Sequence, residues 1–251
     1  MSEDAKVKSL TKALNILECF TVKEPELGIT ELSQRLSLNK SNVHNIISTF
    51  EQAGYIEQNP ANNKYHLGLK LLELSRVISA HLGLNNIAGP LIRPLADELG
   101  EVVYFAIPKD GQVLYIEGAY PSGVLNTRSM LGETAEMYCT SLGKSMLAYM
   151  PADQAMLCIS KQSMRAFTPT TITDRRALIA ELETVRTRGY SIDNMEHEFG
   201  IKCVGVPVFK SNGVLLGGLS VSGPSLRFSE EVIAKYASRL TTCAQTISQM
   251  L

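Results

Sequence analysis

Two groups of residues in this 251-residue sequence have the types and spacing to do chemistry. The first is the run Asn39-Lys40-Ser41-Asn42-Val43-His44-Asn45, where amide, ammonium, hydroxyl and imidazole groups crowd together. Such groups supply the donors and acceptors that read base edges and hold phosphates. The second group is dispersed. Ser220 and Ser222 stand in LSVSG, while Asp193 and Cys203 bracket DNMEHEFGIKC with Glu196, His197 and Glu198 between them. Serine, histidine and aspartate are the residue types of a hydrolytic triad, yet no G-x-S-x-G elbow holds either serine. His197, Glu196, Glu198 and Cys203 are potential zinc ligands, but their spacing matches no strong metal motif. Neither catalysis, nor a metal, nor a cofactor is therefore expected.

The elements that must position the first group are short helices. In GITELSQRLSL, Thr30 is expected as the N-cap, with Leu32 and Leu36 one turn apart on an apolar face. After Ser37-Leu38 a second helix follows, capped by Asn39 and held down by Val43, Ile46, Ile47 and Phe50. Its other side shows Ser41, Asn45, Ser48 and Gln52, with Lys40 and His44 beside them. Two helices, a tight turn and a polar outer face make a helix-turn-helix. Beyond Gly54, Tyr55-Ile56 and Lys64-Tyr65-His66-Leu67 read as two strands around Asn59-Pro60 and Asn62-Asn63, which is a wing whose Lys64 would reach phosphate.

Charge does not announce a nucleic-acid partner. The chain has a net charge of −1, and residues 1–67 hold seven lysines and arginines against eight acids. A positive field must be local, from Lys40, Lys64, Arg35 and the N-terminal tail. A winged helix that binds protein instead of DNA remains the alternative on pattern alone.

A helix over about 68–82 follows, with Leu67, Leu71, Leu74, Ile78 and Leu82 on one stripe and Leu69, Leu72 and Val77 on a second. Two apolar faces need two things to pack against, as expected of a linker that also pairs protomers. From residue 84 the pattern is α+β. Asp110-Gly111 and Asn212-Gly213 each divide a β-rich run and signal hairpins. Thr173 is expected to cap a helix ending at Gly189, and a last helix starts near Ser229. A hydrophobic content of 45% suits a packed core. No apolar run is long enough to span a membrane, and five scattered cysteines without C-x-x-C spacing argue for reduced thiols in the cytoplasm.

In combination, ITELSQRLSLNKSNVH, GYIEQ, KYHLGLKLLEL, SLGKSMLAY, GYSIDNMEHEFGIKCVGVPVF and LSVSGPSLRFS resemble the IclR family of bacterial transcriptional regulators almost end to end. The resemblance implies a winged helix-turn-helix over 1–67, a linker helix over 68–83 and a GAF-like effector-binding domain over 84–251, with an antiparallel sheet and flanking helices. It implies a homodimer or homotetramer on a palindromic operator, Lys40, Ser41, Asn42, His44, Asn45 and Lys64 contacting DNA. It also implies a small carboxylate or sugar-acid effector near Ser141, Leu142, Asp193, Cys203, Ser220 and Ser222. Two departures stand out: Asn45 replaces a common arginine, which favours adenine over phosphate or guanine, and Ser141 and Met195 replace a smaller and an acidic residue, which implies a narrower or more polar pocket.

Overall fold

In the computed structural model, residues 6–82, 88–122 and 129–251 are described. The chain divides into two compact units, residues 1–82 and 83–251. The linker helix thus clusters with the first unit, and the expected start of the second domain at 84 lies outside the described residues.

The first unit contains α1 (Lys8–Glu18), α2 (Ile29–Leu36), α3 (Lys40–Gln52), β1 (Ile56–Gln58), β2 (Tyr65–Leu67) and α4 (Lys70–Leu82). Ile16, Phe20, Leu27, Leu32, Val43, Ile47, Ile56 and Tyr65 form its core. Burial of a side chain the size of Val43 or Ile47 contributes roughly 1.5–3 kcal/mol, which holds α3 against α2. Asn39 caps α3 as expected, its side chain accepting from the Asn42 N–H at 2.8 Å. The cap of α2 is not Thr30 but Gly28, whose N–H donates to Glu31 Oε2 at 2.6 Å. A glycine has no side chain to return the bond, so only half of a capping box forms.

The wing is better secured than its length suggests. Leu27 and Tyr65 exchange two backbone hydrogen bonds of 2.9 Å, adding a third chain to the β1–β2 pair. Glu26 accepts from Asn59 Nδ2 at 2.8 Å and Asn62 Nδ2 at 2.7 Å, which ties the turn to the connection before α2. At the other end, the Gly68 N–H donates to the Tyr55 carbonyl at 2.8 Å. A Cβ on Gly68 would stand 2.3 Å from the Gly54 carbonyl oxygen, so only glycine permits this approach. The α4 helix then starts against the wing. Leu69 just before it and Leu72, Leu74, Val77 and Ile78 on it are all exposed; the side chain of Leu82 lies outside the described residues.

The second unit carries an antiparallel six-stranded sheet in the order β5-β4-β3-β8-β7-β6. Its strands are β3 (Val102–Lys109), β4 (Gln112–Ala119), β5 (Thr134–Glu136), β6 (Ser191–Asn194), β7 (Ile201–Phe209) and β8 (Leu215–Pro224). The expected hairpins are both present. Asp110 (φ 51°) and Gly111 (φ 80°) make the first turn, and Gly213 (φ 79°) lies in the second. One face packs on α5 (Ala88–Leu99) and α9 (Glu230–Met250). The other is covered by α6 (Ser141–Tyr149), with α8 (Arg175–Arg188) behind it. A further helix, α7 (Ala152–Lys161), joins the core of that side. Asp174, rather than Thr173, caps α8, accepting from the Ala177 N–H at 2.9 Å. No helix among the described residues is long and apolar enough to cross a membrane.

Candidate functional site

The run that opened the sequence reading forms the exposed start of α3. Lys40, Ser41, His44 and Asn45 are exposed, Asn42 is half-buried, and Val43 and Ile47 point into the core. The helical period separates these two sets, so the polar groups are presented rather than merely tolerated. The free N–H end of a capped helix adds a partial positive charge beside Lys40.

Two of the other local cations, Arg35 and Lys64, are paired. Arg35 forms a two-pronged pair with Glu24, one contact being 2.9 Å. Lys64, expected to reach phosphate, donates to Glu31 Oε1 at 3.1 Å. The arginine holds the Glu24 carboxyl below its ordinary pKa, and the Gly28 N–H followed by Lys64 does the same for Glu31. Both pairs are solvent-exposed, where an ion pair is weak and readily exchanged.

In the second unit the predicted effector residues converge on one sheet face. Antiparallel register places Asp193 opposite Cys203 and Cys203 opposite Ser222. Two residues along, Ser191 is opposite Gly205, Gly205 opposite Ser220, and Ser220 opposite Tyr104. Partners across a ladder and alternate residues along a strand share a face, so Ser220, Ser222, Cys203 and Asp193 lie together. Cys203 Sγ is 3.1 Å from Ser222 Oγ.

Glycines allow α6 to sit directly on that face. A Cβ on Gly205 would be 2.7 Å from the Ser141 carbonyl, and one on Gly218 would be 3.2 Å from Leu142 Cδ2. Gly143, on the helix itself, would place a Cβ 2.2 Å from Met137 Cα. Ser191 Oγ donates to the Ser141 carbonyl at 2.5 Å, fixing the first turn. Thr140 caps the helix, accepting from the Gly143 N–H at 3.1 Å. Ser141 and Leu142 thus stand over the row containing Ser220, with the Asp193–Cys203–Ser222 row next along. The edge-to-face rings of Tyr104, Tyr115 and Tyr120 line the same side.

A buried ionic cluster sits beside these residues. Asp193 is 3% exposed, Glu196 3% and Lys144 1%. The Lys144 ammonium pairs with Glu196 Oε1, while Glu196 Oε2 has no hydrogen-bond partner among the described residues. Asp193 Oδ1 accepts from the Glu196 N–H at 2.6 Å. Burial pushes the Asp193 carboxyl up to about 7; the Glu196 N–H opposes the rise and the Glu196 carboxylate adds to it. Burial also pushes the Cys203 thiol well up, with Asp193 reinforcing it. Cys203 is accordingly a protonated, small side chain here, not a reactive thiolate.

Lys144 is the buried cation of this cluster. Glu196, 52 residues away, neutralises it, and neither sequence segment foreshadows the pairing. Glu196 is thereby removed from the zinc-like set it forms with His197, Glu198 and Cys203 in the sequence. Three cavities in the second unit, of about 200, 430 and 270 Å³, lie elsewhere: between α5 and α9, beside the second hairpin, and beside the first.

Comparison with known proteins agrees with both units. The IclR helix-turn-helix domain matches residues 9–60, and the family described as bacterial transcriptional regulator IclR C-terminal matches residues 77–249. The HTH-type transcriptional regulator KdgR of Escherichia coli is 36% identical over 245 residues, spanning 98% of this chain and 93% of its own. The Thermotoga maritima IclR crystal structure superposes with a TM-score of 0.79 at 31% identity, covering 97% of this chain and 98% of that one. An IclR homologue from Microbacterium hydrocarbonoxydans, complexed with 4-hydroxybenzoate, gives a TM-score of 0.85 at 23% identity, covering 96% and 98%. The protein is a DNA-binding transcriptional regulator with an effector-binding domain, not an enzyme. The chain belongs to the IclR family of bacterial transcriptional regulators.

Proposed function

We propose that this regulator represses a catabolic operon in the cytoplasm, binding a palindromic operator as a homodimer or homotetramer under the control of a small hydroxy or oxo acid. The exposed polar face of α3, held from behind by Val43 and Ile47, is the observation that carries the DNA half of this reading. Lys40, Ser41, Asn42, His44 and Asn45 address the major groove, and Lys64 exchanges Glu31 for phosphate. The exposed apolar residues of α4 support pairing of protomers, which brings two copies of α3 to two half-sites. A relative 25% identical over 244 residues is a transcriptional repressor, which supports the sign of regulation.

Ser220, Ser222 and the start of α6 favour a ligand that accepts hydrogen bonds, and Asp193 favours one that also bears a hydroxyl. The 4-hydroxybenzoate held by the Microbacterium relative combines both groups. For an effector to regulate, it must bind two arrangements of the DNA heads with different affinity.

Footprinting of the DNA upstream of the protein's own gene and its neighbouring operon tests this function. A protected palindrome is expected; no protection even at low salt would move the partner of α3 from DNA to protein. Replacing Ser220→Ala together with Ser222→Ala should leave DNA binding intact and abolish the effector response. A normal response would remove the serines from the site.

A further inference from the structure

The buried groups around Asp193 do not balance in charge. Among the described residues, the buried ionisable acids and bases are Glu101, Lys144, Asp193 and Glu196, and Glu101 is paired with Arg227 away from this face. Lys144 is the single buried cation of the cluster and is already matched by Glu196. Asp193 is left over. Facing it are Lys144 from α6, the Glu196 carboxylate and the Glu196 and His197 N–H groups from the loop after β6, Cys203 from β7, Tyr115 from β4, and Cys139 from the segment before α6. The thiols and the phenol are neutral, because burial raises all three. A second carboxylate entering beside Ser222 would therefore put two uncompensated negative charges in one dry site, which is far costlier than protonating one of them. The partial positive end of α6 offsets only about half a charge.

We infer that an acid effector enters this site together with one proton taken from solvent, held on Asp193, so that the carboxyl donates its O–H to the ligand and effector response depends on pH. The inference rests on the effector site proposed above. Asp193 is suited to the role because backbone N–H groups of Glu196, 2.6 Å from Oδ1, and of His197 fix its carboxyl in place while burial favours its neutral form. Its carboxyl, raised to about 7 in the free protein, is mostly neutral below that pH and ionised above it. Acid affinity should accordingly be flat below about pH 6.5 and fall up to tenfold per pH unit above 7. Slightly alkaline conditions would then blunt induction at unchanged effector concentration.

The test is titration calorimetry of the full chain with lactate, gluconate and 4-hydroxybenzoate at pH 6, 7 and 8.5. Each is run in two buffers of different ionisation enthalpy. Uptake approaching one proton per acid bound at pH 8.5, and close to none at pH 6, is the expected result. Asp193→Asn retains the acceptor for the Glu196 N–H and a donor for the ligand, so it should bind the same acid with pH-independent affinity. Without ligand, thermal unfolding gives a second readout. Because the folded carboxyl is raised, its favourable contribution is full below the unfolded value near 4 and is lost as pH rises through 7. The wild type should therefore lose melting temperature between pH 5 and 8 relative to Asp193→Asn.

Acid binding without proton uptake would overturn the inference alone. Failure of all three acids to bind at pH 6 would overturn the acid-effector reading beneath it. An Asp193→Asn melting curve parallel to the wild type across that range would show that Asp193 is ionised throughout and is not the proton carrier.

Discussion

The helices α3 and α6 begin in the same way and end in opposite environments. Each has a polar N-cap whose side chain accepts an N–H three residues on, Asn39 for α3 and Thr140 for α6. Each then places a serine and a lysine in its first turns: Lys40 and Ser41 in one, Ser141 and Lys144 in the other. In α3 these groups are exposed and free to meet a large, charged partner. In α6 they are sealed against a sheet, where every polar atom must be matched from within. Local sequence decides that a helix starts; what lies opposite decides whether its end is a surface or a cavity. Opposite α6 are Gly205 and Gly218, whose missing side chains let the helix close down.

The comparison is broken most severely at Lys144. Lys144→Met strands Glu196 as an unpaired buried carboxylate and should destabilise the second unit by about 3–5 kcal/mol in denaturant unfolding. The double replacement with Glu196→Leu should recover most of that loss, because an apolar pair of similar volume needs no desolvated charge. Additive losses would mean the two groups act separately.

Gly143→Ala comes next. Its Cβ would overlap Met137 backbone, and lifting α6 to relieve it should cost roughly 1–3 kcal/mol, read as an earlier unfolding midpoint together with a weakened effector response. The same glycine-to-alanine change has no counterpart in α3, whose outer face is exposed.

At that outer face the effect moves from stability to recognition. Asn45→Ala should cost about 1–3 kcal/mol of binding to the specific operator and almost nothing on unrelated DNA, measured by titration of both duplexes at one salt concentration. Equal losses on the two would show that Asn45 does not read a base. The smallest change is expected for Lys64→Gln. The fold should be unaltered, and the dependence of DNA affinity on salt should become shallower by about one counterion. An unchanged slope would leave Lys64 as Glu31's partner in the complex as well as in the free protein.

What could be read ahead of the structure follows the same division. The Asn39 cap, the Val43–Ile47 stripe, both hairpins and the pairing of Ser220 with Ser222 on one face are short-range consequences of spacing, and all are present. A threonine before an apolar run looks like a cap, which points to Thr30 and Thr173, but Gly28 with Glu31 caps α2 and Asp174 caps α8. The short strands β5 and β6 have too little pattern of their own and are specified by the sheet they join, while Pro94 inside α5 argues in the sequence against the helix its apolar stripe makes. The ion pairs were illegible: Arg35 meets Glu24 across 11 residues, Lys64 meets Glu31 across 33, and Lys144 meets Glu196 across 52. Nothing in a linear reading distinguishes a lysine that will be solvated from one that tertiary structure will bury.

Gly68 has a mechanical consequence. By closing on Gly54, where α3 has just ended, it fastens the start of α4 to the tail of the recognition helix with no spare length between them. A bend or twist applied to α4 has no slack in which to dissipate at this joint. It must steer α3 as a rudder stock turns its blade, so that a small rotation at the stem re-aims the polar face of that helix.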